Sequence, residues 1–449
     1  MAAPFVIGFV LTFWAYWPGI MTGDSQFHLM QARSMVFSDS FPLITTLLWA
    51  ATNQLWPGEP GFLTLLLILY WGGFALFAWY CAQRSWRAFW IAAALPFMPF
   101  LINYAGTLWK DVLVMVSYLV GAGVILVARD RAWRWVAVIP LAVGVAAREN
   151  SAAAAIPLFA LLLWPSFAVF DIRRRLGVTL VASLVIVAGV FAGAQFGLIQ
   201  ILKPIRGYAL TPLALYDLTG ISLRINRNLV PGSWTPLETD ILLHDCYEPK
   251  GWDRIWVRCW FVLEHTRAAG TYQTMPQFWL PAIAAHPVAY LQHRAAHVGS
   301  LFTTGHSPFV TRGWMAEAKP GEHIPFVENS LYRTVEAAVA FLAPTPLFWS
   351  GFWLVLSLGL CLYQGWRLWQ RKQFEPDEAM LALSGFLYIA PLAVVGLAPD
   401  FRYVYWGIAA SCMSLVLMVT RPAQQHNTNR GVIWDCYKPH LGANAAPID

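Results

Sequence analysis

Charge is scarce in these 449 residues: Asp, Glu, Lys and Arg make up 12% of the chain, against 58% hydrophobic residues and a mean hydropathy of +0.52. A soluble domain typically carries about twice that charged fraction, so a water-soluble globular fold is excluded. Cysteine is scarce too, with six in all and no pair at the spacing of a structural zinc site. The chain has no G-x-x-x-x-G-K-[ST] loop, no G-x-G-x-x-G opening a helix and no H-E-x-x-H. These absences remove phosphate-loop nucleotide binding, dinucleotide binding and zinc proteolysis. No D-x-D occurs either, so a nucleotide-sugar donor held through a metal has no support. No cofactor or metal site is expected, with a divalent ion left open. The net charge of +6 does not point to nucleic acid, because the basic residues fall in short clusters between apolar runs.

Those runs are what the chain has in abundance. Stretches of roughly 18–22 apolar residues recur, the length that crosses a bilayer as a helix. Spans are expected at Phe5–Tyr16 and at about 61–82, 88–105, 111–128, 132–147, 151–170, 176–198, 344–365, 379–397 and 403–420. The fold class is therefore mainly α, a polytopic helical membrane protein with about ten transmembrane helices. The N-terminus lacks a basic region and an A-x-A-like site, so the first span reads as uncleaved. Residues 41–56 read as an interfacial helix, and the 24 Trp suit aromatic belts. Residues 200–335 differ: they are polar, hold seven of the ten His, and are long enough for a small domain. The chain thus divides into a transmembrane module (1–199), that domain (200–335), C-terminal transmembrane helices (336–421) and a tail (422–449).

Loop charge orients the whole. Basic clusters at 84–87, 129–134, 173–175, 367–372 and 421 all fall on one side by parity, which the positive-inside rule makes cytoplasmic. The tail then lies inside, and the 200–335 domain outside. Four short loops share the outer face with it: the Asp24 loop, Lys110-Asp111, Arg148-Glu149-Asn150 and Asp400-Phe401-Arg402. Each mixes acid, base and amide groups at helix ends, where caps and paired charges are needed in any case.

Asp24 is the first charged residue of the chain. It follows Trp17-Pro18-Gly19-Ile20-Met21-Thr22-Gly23, a stretch that breaks the helical pattern at the end of the first span. It is either the N-cap of a helix over Ser25–Phe37 or a functional carboxylate at the membrane surface. An acid there could act as general base on an acceptor hydroxyl. Lys110, Arg148 or Arg402 could then neutralise a departing phosphate. That set suits a donor that is itself a membrane lipid carrying phosphate.

The stretch Trp17-Pro18-Gly19…Thr22-Gly23-Asp24-Ser25, followed by Phe41-Pro42, resembles the first outer loop of GT-C-type membrane glycosyltransferases. It is most similar to bacterial families distantly related to the protein O-mannosyltransferases. Lys110-Asp111, Arg148-Glu149-Asn150 and Pro399-Asp400-Phe401-Arg402-Tyr403 look like that group as well. So do Tyr216-Asp217-Leu218-Thr219-Gly220-Ile221-Ser222 and Ala285-His286-Pro287 through His293-Arg294. The resemblance implies a GT-C-like fold in a bacterial inner membrane and transfer of a sugar from a polyprenyl-phosphate carrier to an extracytoplasmic acceptor, whether glycan, lipid or protein. Asp24 would be the catalytic base. Lys110, Asp111, Arg148, Glu149, Asn150, Asp217, Arg294 and Arg402 would bind substrate. The chain departs from the O-mannosyltransferase pattern in carrying one acid where those enzymes carry a pair, and in placing its soluble domain mid-chain.

Other residues admit two roles. His293 and His297, four apart, could face a metal, or lie on an interfacial helix with Arg294 on a lipid phosphate. Asp217 could be a cap, and Arg148 and Glu149 could pair with each other. Cys246 and Cys259 are the only cysteines of the outer segment, where an oxidising compartment permits a disulfide. The rival functions are a lipid or glycan transporter and a non-catalytic partner in envelope glycan assembly. A transporter would place charges near mid-span, which these spans nearly lack.

Overall fold

The computed structural model describes residues 1–128, 132–303, 308–316, 324–370 and 374–421. The tail and four of the orienting basic residues (Arg129, Arg131, Arg371 and Lys372) lie outside the described residues. Among those described, six helices are long and apolar enough to cross a membrane: Glu59–Ala82, Lys110–Val127, Glu149–Phe167, Ile172–Leu202, Pro376–Val395 and Phe401–Val419. Two apolar helices are shorter, Ala3–Tyr16 and Ala132–Ala147. At 1.5 Å per residue, the 14 residues of the first reach about 21 Å, short of a hydrocarbon core of about 30 Å.

The helix Lys110–Val127 is central. It packs against Glu59–Ala82, Val138–Ala147 and Tyr405–Val419, and all but a few of its residues are buried. Small residues allow the close approach, as expected where helices meet without a hydrophobic driving force. A methyl group on Gly144 would enter the Tyr118 ring, and one on Gly73 would meet Leu119 at 2.6 Å. Polar ties cross the core. Tyr16 donates to the Ile102 carbonyl at 2.7 Å, and Trp406 Nε1 to Ser384 Oγ at 2.9 Å. Ser384 in turn donates to the Ala154 carbonyl at 2.6 Å.

One expected span is broken. Residues 88–105 form a helix only over Trp86–Ala94, then a 3-10 turn over Leu95–Phe97 and a short helix Pro99–Ile102. Pro96 and Pro99 remove backbone donors and clash with the preceding turn, a loss that hydropathy does not register. At the expected span 344–365 the helix runs over Ser350–Trp369 and is not among those six. Residues 43–55 form the expected separate helix, Leu43–Leu55.

The central segment has a core of its own, built from Leu215, Leu218, Leu242, Val262, Leu263 and Met275 among others. A Cys246–Cys259 disulfide lies within it. Helix Thr211–Ile225 packs there on Pro276–Ala285 and Pro287–Ser300. Phe309, Val310 and Tyr332 instead join the membrane core, where Tyr332 meets Tyr16 edge-on at 6.3 Å.

Four buried carboxylates, Glu59, Asp111, Asp377 and Glu378, all sit in the first turn of a long helix. The positive end of the helix dipole favours an anion at that position. Arg84 and Arg421 converge on the last two: Arg421 pairs with Glu378, and Arg84 approaches Asp377 and Glu378 at 3.9 Å. Two residues of the basic clusters thus also neutralise buried acids.

Topology reporters test this arrangement. Fusions at residues 85, 174 and 370 should report cytoplasmic, and fusions at 30, 149, 260 and 400 extracytoplasmic. A cytoplasmic signal at both 149 and 260 would separate the loops that share the outer face.

Candidate active site

The loop before Asp24 is held by backbone pairing with the turn before Lys110. Ile20 N–H donates to the Gly106 carbonyl at 2.9 Å, and Leu108 N–H to the Ile20 carbonyl at 3.1 Å. Gly19 adopts φ +123, a region that side chains rarely occupy, and Gly106 lies against the Tyr16 ring with no room for a Cβ. Side chains extend the tie. Trp109 Nε1 donates to Thr22 Oγ1 at 2.7 Å, and Ser25 Oγ to the Leu108 carbonyl at 3.0 Å. The helix that follows runs over Gly23–Ser34, earlier than the expected Ser25–Phe37, with Thr22 as its N-cap residue. Asp24 is therefore not the cap. It stands in the first turn, where the dipole favours its charge.

Arg402 reaches Asp24 from the other end of the chain. Its Nη1 donates to Asp24 Oδ2 at 3.1 Å, and its Nε lies 3.3 Å from Asp400 Oδ2. The guanidinium rests over the Trp109 ring at 4.5 Å and the Tyr403 ring at 5.0 Å. Asp24 keeps 43% of its side-chain surface open, against 15% for Arg402. Burial in the cleft works against the charge on Asp24, but Arg402, and behind it Lys110, outweigh that and hold its carboxyl below the usual carboxylate range. The group is an ionised, weakly basic carboxylate at neutral pH.

Asp111 pairs with Arg148, whose guanidinium also covers the Tyr403 ring at 4.2 Å. Asp111 is buried and does not line the cleft, so it positions Arg148 rather than meeting a substrate. Arg148 thus pairs with Asp111 and not with its neighbour Glu149. Lys110 stands over the Phe41 ring at 5.7 Å, and no carboxylate lies within ion-pair distance of it among the described residues. Asp24, Lys110, Arg148, Glu149, Asn150 and Arg402 all line one cleft of about 1550 Å³. Its apolar wall includes Ala194 and Leu198 of the helix Ile172–Leu202, together with Leu392 and Val395.

Asp217 and Arg294 are not on that wall. Asp217 lies mid-helix and fully buried. It accepts from Trp279 Nε1 at 2.8 Å and lies 2.8 Å from His293 Nε2 and 2.6 Å from Arg294 Nη2. Tyr247 closes the group at 2.9 Å from His293 Nδ1. Arg294 therefore faces an acid and not a lipid phosphate, and its Nη1 donates to the Gly396 carbonyl at 2.8 Å. Both nitrogens of His293 are engaged, which leaves none for a metal. Burial pushes the His293 imidazole down despite Asp217, and the His297 imidazole to about 4. The cluster fixes the Gly396 end of the loop that carries Asp400 and Arg402. In this arrangement Asp217 and Arg294 are positioning residues.

The sequence reasoning missed His28, one turn after Asp24. It is buried, with Nδ1 2.8 Å from Thr46 Oγ1 and its ring edge-on to Phe41 at 5.1 Å. Burial, with Lys110 adding to it, pushes its imidazole down to about 3. Also missed were Tyr403, whose ring carries both arginines, and the cleft residues Arg206, Tyr208, Trp252, Trp256, Arg267 and Tyr272 of the central segment. Spacing along the chain gives no signal for these six. Tyr403 lies inside a motif singled out for its charges.

Two outcomes follow. Asp217→Asn leaves Arg294 as a buried, uncompensated charge, which typically costs about 3–5 kcal/mol; thermal unfolding in detergent should show a loss of that order. His28 has a folded pKa below its ordinary one, so the unfolded state takes up the extra proton as pH falls. Its contribution to stability is complete above about pH 6.5 and is lost as pH drops toward 3, by about 2 kcal/mol at pH 5. Melting curves of wild type and His28→Gln between pH 7 and 5 measure it, and the variant should lack that slope.

No family model matches the chain, and no curated protein matches it. Among solved structures it is similar to two of an archaeal oligosaccharyltransferase from Archaeoglobus fulgidus. One is tethered through a disulfide bond to an acceptor peptide containing the NVT sequon; identity is 14% and the TM-score 0.40, over 93% of this chain and 49% of that one. The other, named AglB, is in complex with an inhibitory peptide and a dolichol-phosphate; identity is 13% and the TM-score 0.39, over 93% and 50%. The chain spans about half the length of the structures it matches.

Proposed function

We propose that this protein is a GT-C-type glycosyltransferase of a bacterial inner membrane. It moves a sugar from a polyprenyl-phosphate donor to an extracytoplasmic acceptor, and the cleft is its active site. The observation that carries this is the meeting of one half-open carboxylate, Asp24, with Lys110, Arg148 and Arg402 in a single cleft. These residues come from separate outer loops, and an apolar wall beside them suits a lipid-borne donor. The loop motifs that resemble those glycosyltransferases supply the same residues.

In the proposed step the acceptor oxygen forms a bond to the anomeric carbon of the donor sugar. The bond from that carbon to the phosphate oxygen breaks, and its electron pair leaves with the polyprenyl phosphate. Asp24 takes the proton of the acceptor hydroxyl. Its lowered pKa keeps it ionised and ready to accept, while the low basicity confines the transfer to late in the reaction, when the hydroxyl has become acidic. Cationic groups offset the charge that develops on the leaving phosphate. Arg402 is already shared between two carboxylates and Arg148 is paired with Asp111, so Lys110 takes the larger part.

Substitutions separate the roles. A positioned base contributes about 10²–10⁴-fold, so Asp24→Asn should remove that much turnover while donor binding persists. Lys110→Met should weaken donor binding and slow release of the polyprenyl phosphate. Membranes supplied with radiolabelled polyprenyl-phosphate sugars, at matched protein levels, give both readouts. Near-normal transfer by Asp24→Asn would move the chemistry to another acid of the cleft, with Glu149 next to test.

A further inference from the structure

The cleft has a second end that the proposed chemistry does not use. It is built from the central segment, and its lining is aromatic. Trp252 and Trp256 lie 5.9 Å apart with their planes at 49°, and Trp256 is 47% exposed although it belongs to the cleft wall. Tyr208 and Tyr272 meet edge-on at 6.4 Å. Between such aromatic groups stand polar ones: Arg267 lies over the Tyr272 ring at 5.0 Å, and Arg206, exposed, lines the same wall.

This shelf is held in register with the reactive end. Trp252 N–H donates to the Leu397 carbonyl at 3.0 Å, next to the Gly396 carbonyl that Arg294 holds and a few residues before Arg402. Gly251 lies against the same carbonyl, with only 2.8 Å for an added Cβ. Thr211 fixes Tyr272 by donating to its carbonyl at 2.9 Å. The anchored Trp252 thus carries the open indole of Trp256 beside it, at the rim of the cleft.

We infer that this shelf binds the acceptor, and that the acceptor is a glycan; the inference rests on the transferase reading of the same cleft. A sugar ring presents a face of polarised C–H groups and a rim of hydroxyls. The faces match aromatic rings, whose π surface is negative, and the rim matches the arginine side chains beside them. A polyprenyl chain has no rim for Arg206 and Arg267 to meet. A peptide acceptor would call for paired backbone donors and acceptors, whereas the shelf offers ring faces.

The test uses the purified full-length protein in detergent, with an uncharged tetrasaccharide and a neutral tetrapeptide as probes. Saturation-transfer NMR and calorimetry follow binding at up to roughly 10 mM, since millimolar dissociation constants are typical of a few contacts. The tetrasaccharide should bind the wild-type protein and the tetrapeptide should not. Trp256→Ala should weaken it about tenfold, as expected for loss of one ring contact, and Trp256→Phe should restore part of it. No saccharide binding to wild type, binding indifferent to Trp256→Ala, or preference for the peptide would each overturn the inference. Saccharide binding that depends on Trp256, found together with normal transfer by Asp24→Asn, would instead overturn the assignment of Asp24 and leave the glycan shelf standing.

Discussion

The contact on which the rest of the site depends is the clasp of Arg402 by Asp24 and Asp400. It joins the Asp24 loop to the loop before the last described helix, across 378 residues of chain. Withdrawing a guanidinium from water costs several kcal/mol unless its charge is met. Two carboxylates and two aromatic faces, those of Trp109 and Tyr403, meet it here. Without Arg402 the two acids would face each other across a partly dry space, and like charges there repel strongly. The cleft keeps its shape because the cation and the acids need one another.

The same economy of charge recurs through the molecule. Asp111 meets Arg148, Asp217 meets Arg294 and His293, and Glu378 meets Arg421. In a chain so poor in charge, these groups mark where helix ends must be neutralised or where chemistry needs them. Asp111 and Glu378 take first-turn positions on their helices, where the backbone adds to the stabilisation. Lys110 stands apart from this pattern. It lines the cleft beside an aromatic ring, with no carboxylate at ion-pair distance among the described residues.

Two bodies of structure share the cleft. The N- and C-terminal parts of the chain supply Asp24, Lys110, Arg148 and Arg402, and the central segment supplies the aromatic shelf with Arg206 and Arg267. The loop at Gly396 and Leu397 binds them together, through Arg294 on one carbonyl and Trp252 on the next. A lipid-borne group arriving along the apolar wall and a water-borne one arriving over the shelf would therefore meet at the same acid.

The sequence by itself determined the membrane class, because apolar run length answers directly to bilayer thickness. It also singled out Asp24, Lys110, Arg148 and Arg402 as charges at helix ends, because apolar runs and the charges that interrupt them are local properties that can be counted. Tertiary structure alone decided which charge meets which. Arg148 turned to Asp111 rather than to its neighbour Glu149, and Arg294 turned inward to Asp217 rather than outward to lipid. The break at Pro96 and Pro99 was visible as residues but not as a consequence, since hydropathy does not register the loss of backbone donors. The aromatic shelf could not be read at all. Its residues are scattered between 206 and 272, and only the packing of the central segment's own core gathers them on one wall. Local composition decides where a segment sits relative to the membrane, whereas the pairing of side chains depends on which segments the packed core brings within a few ångströms.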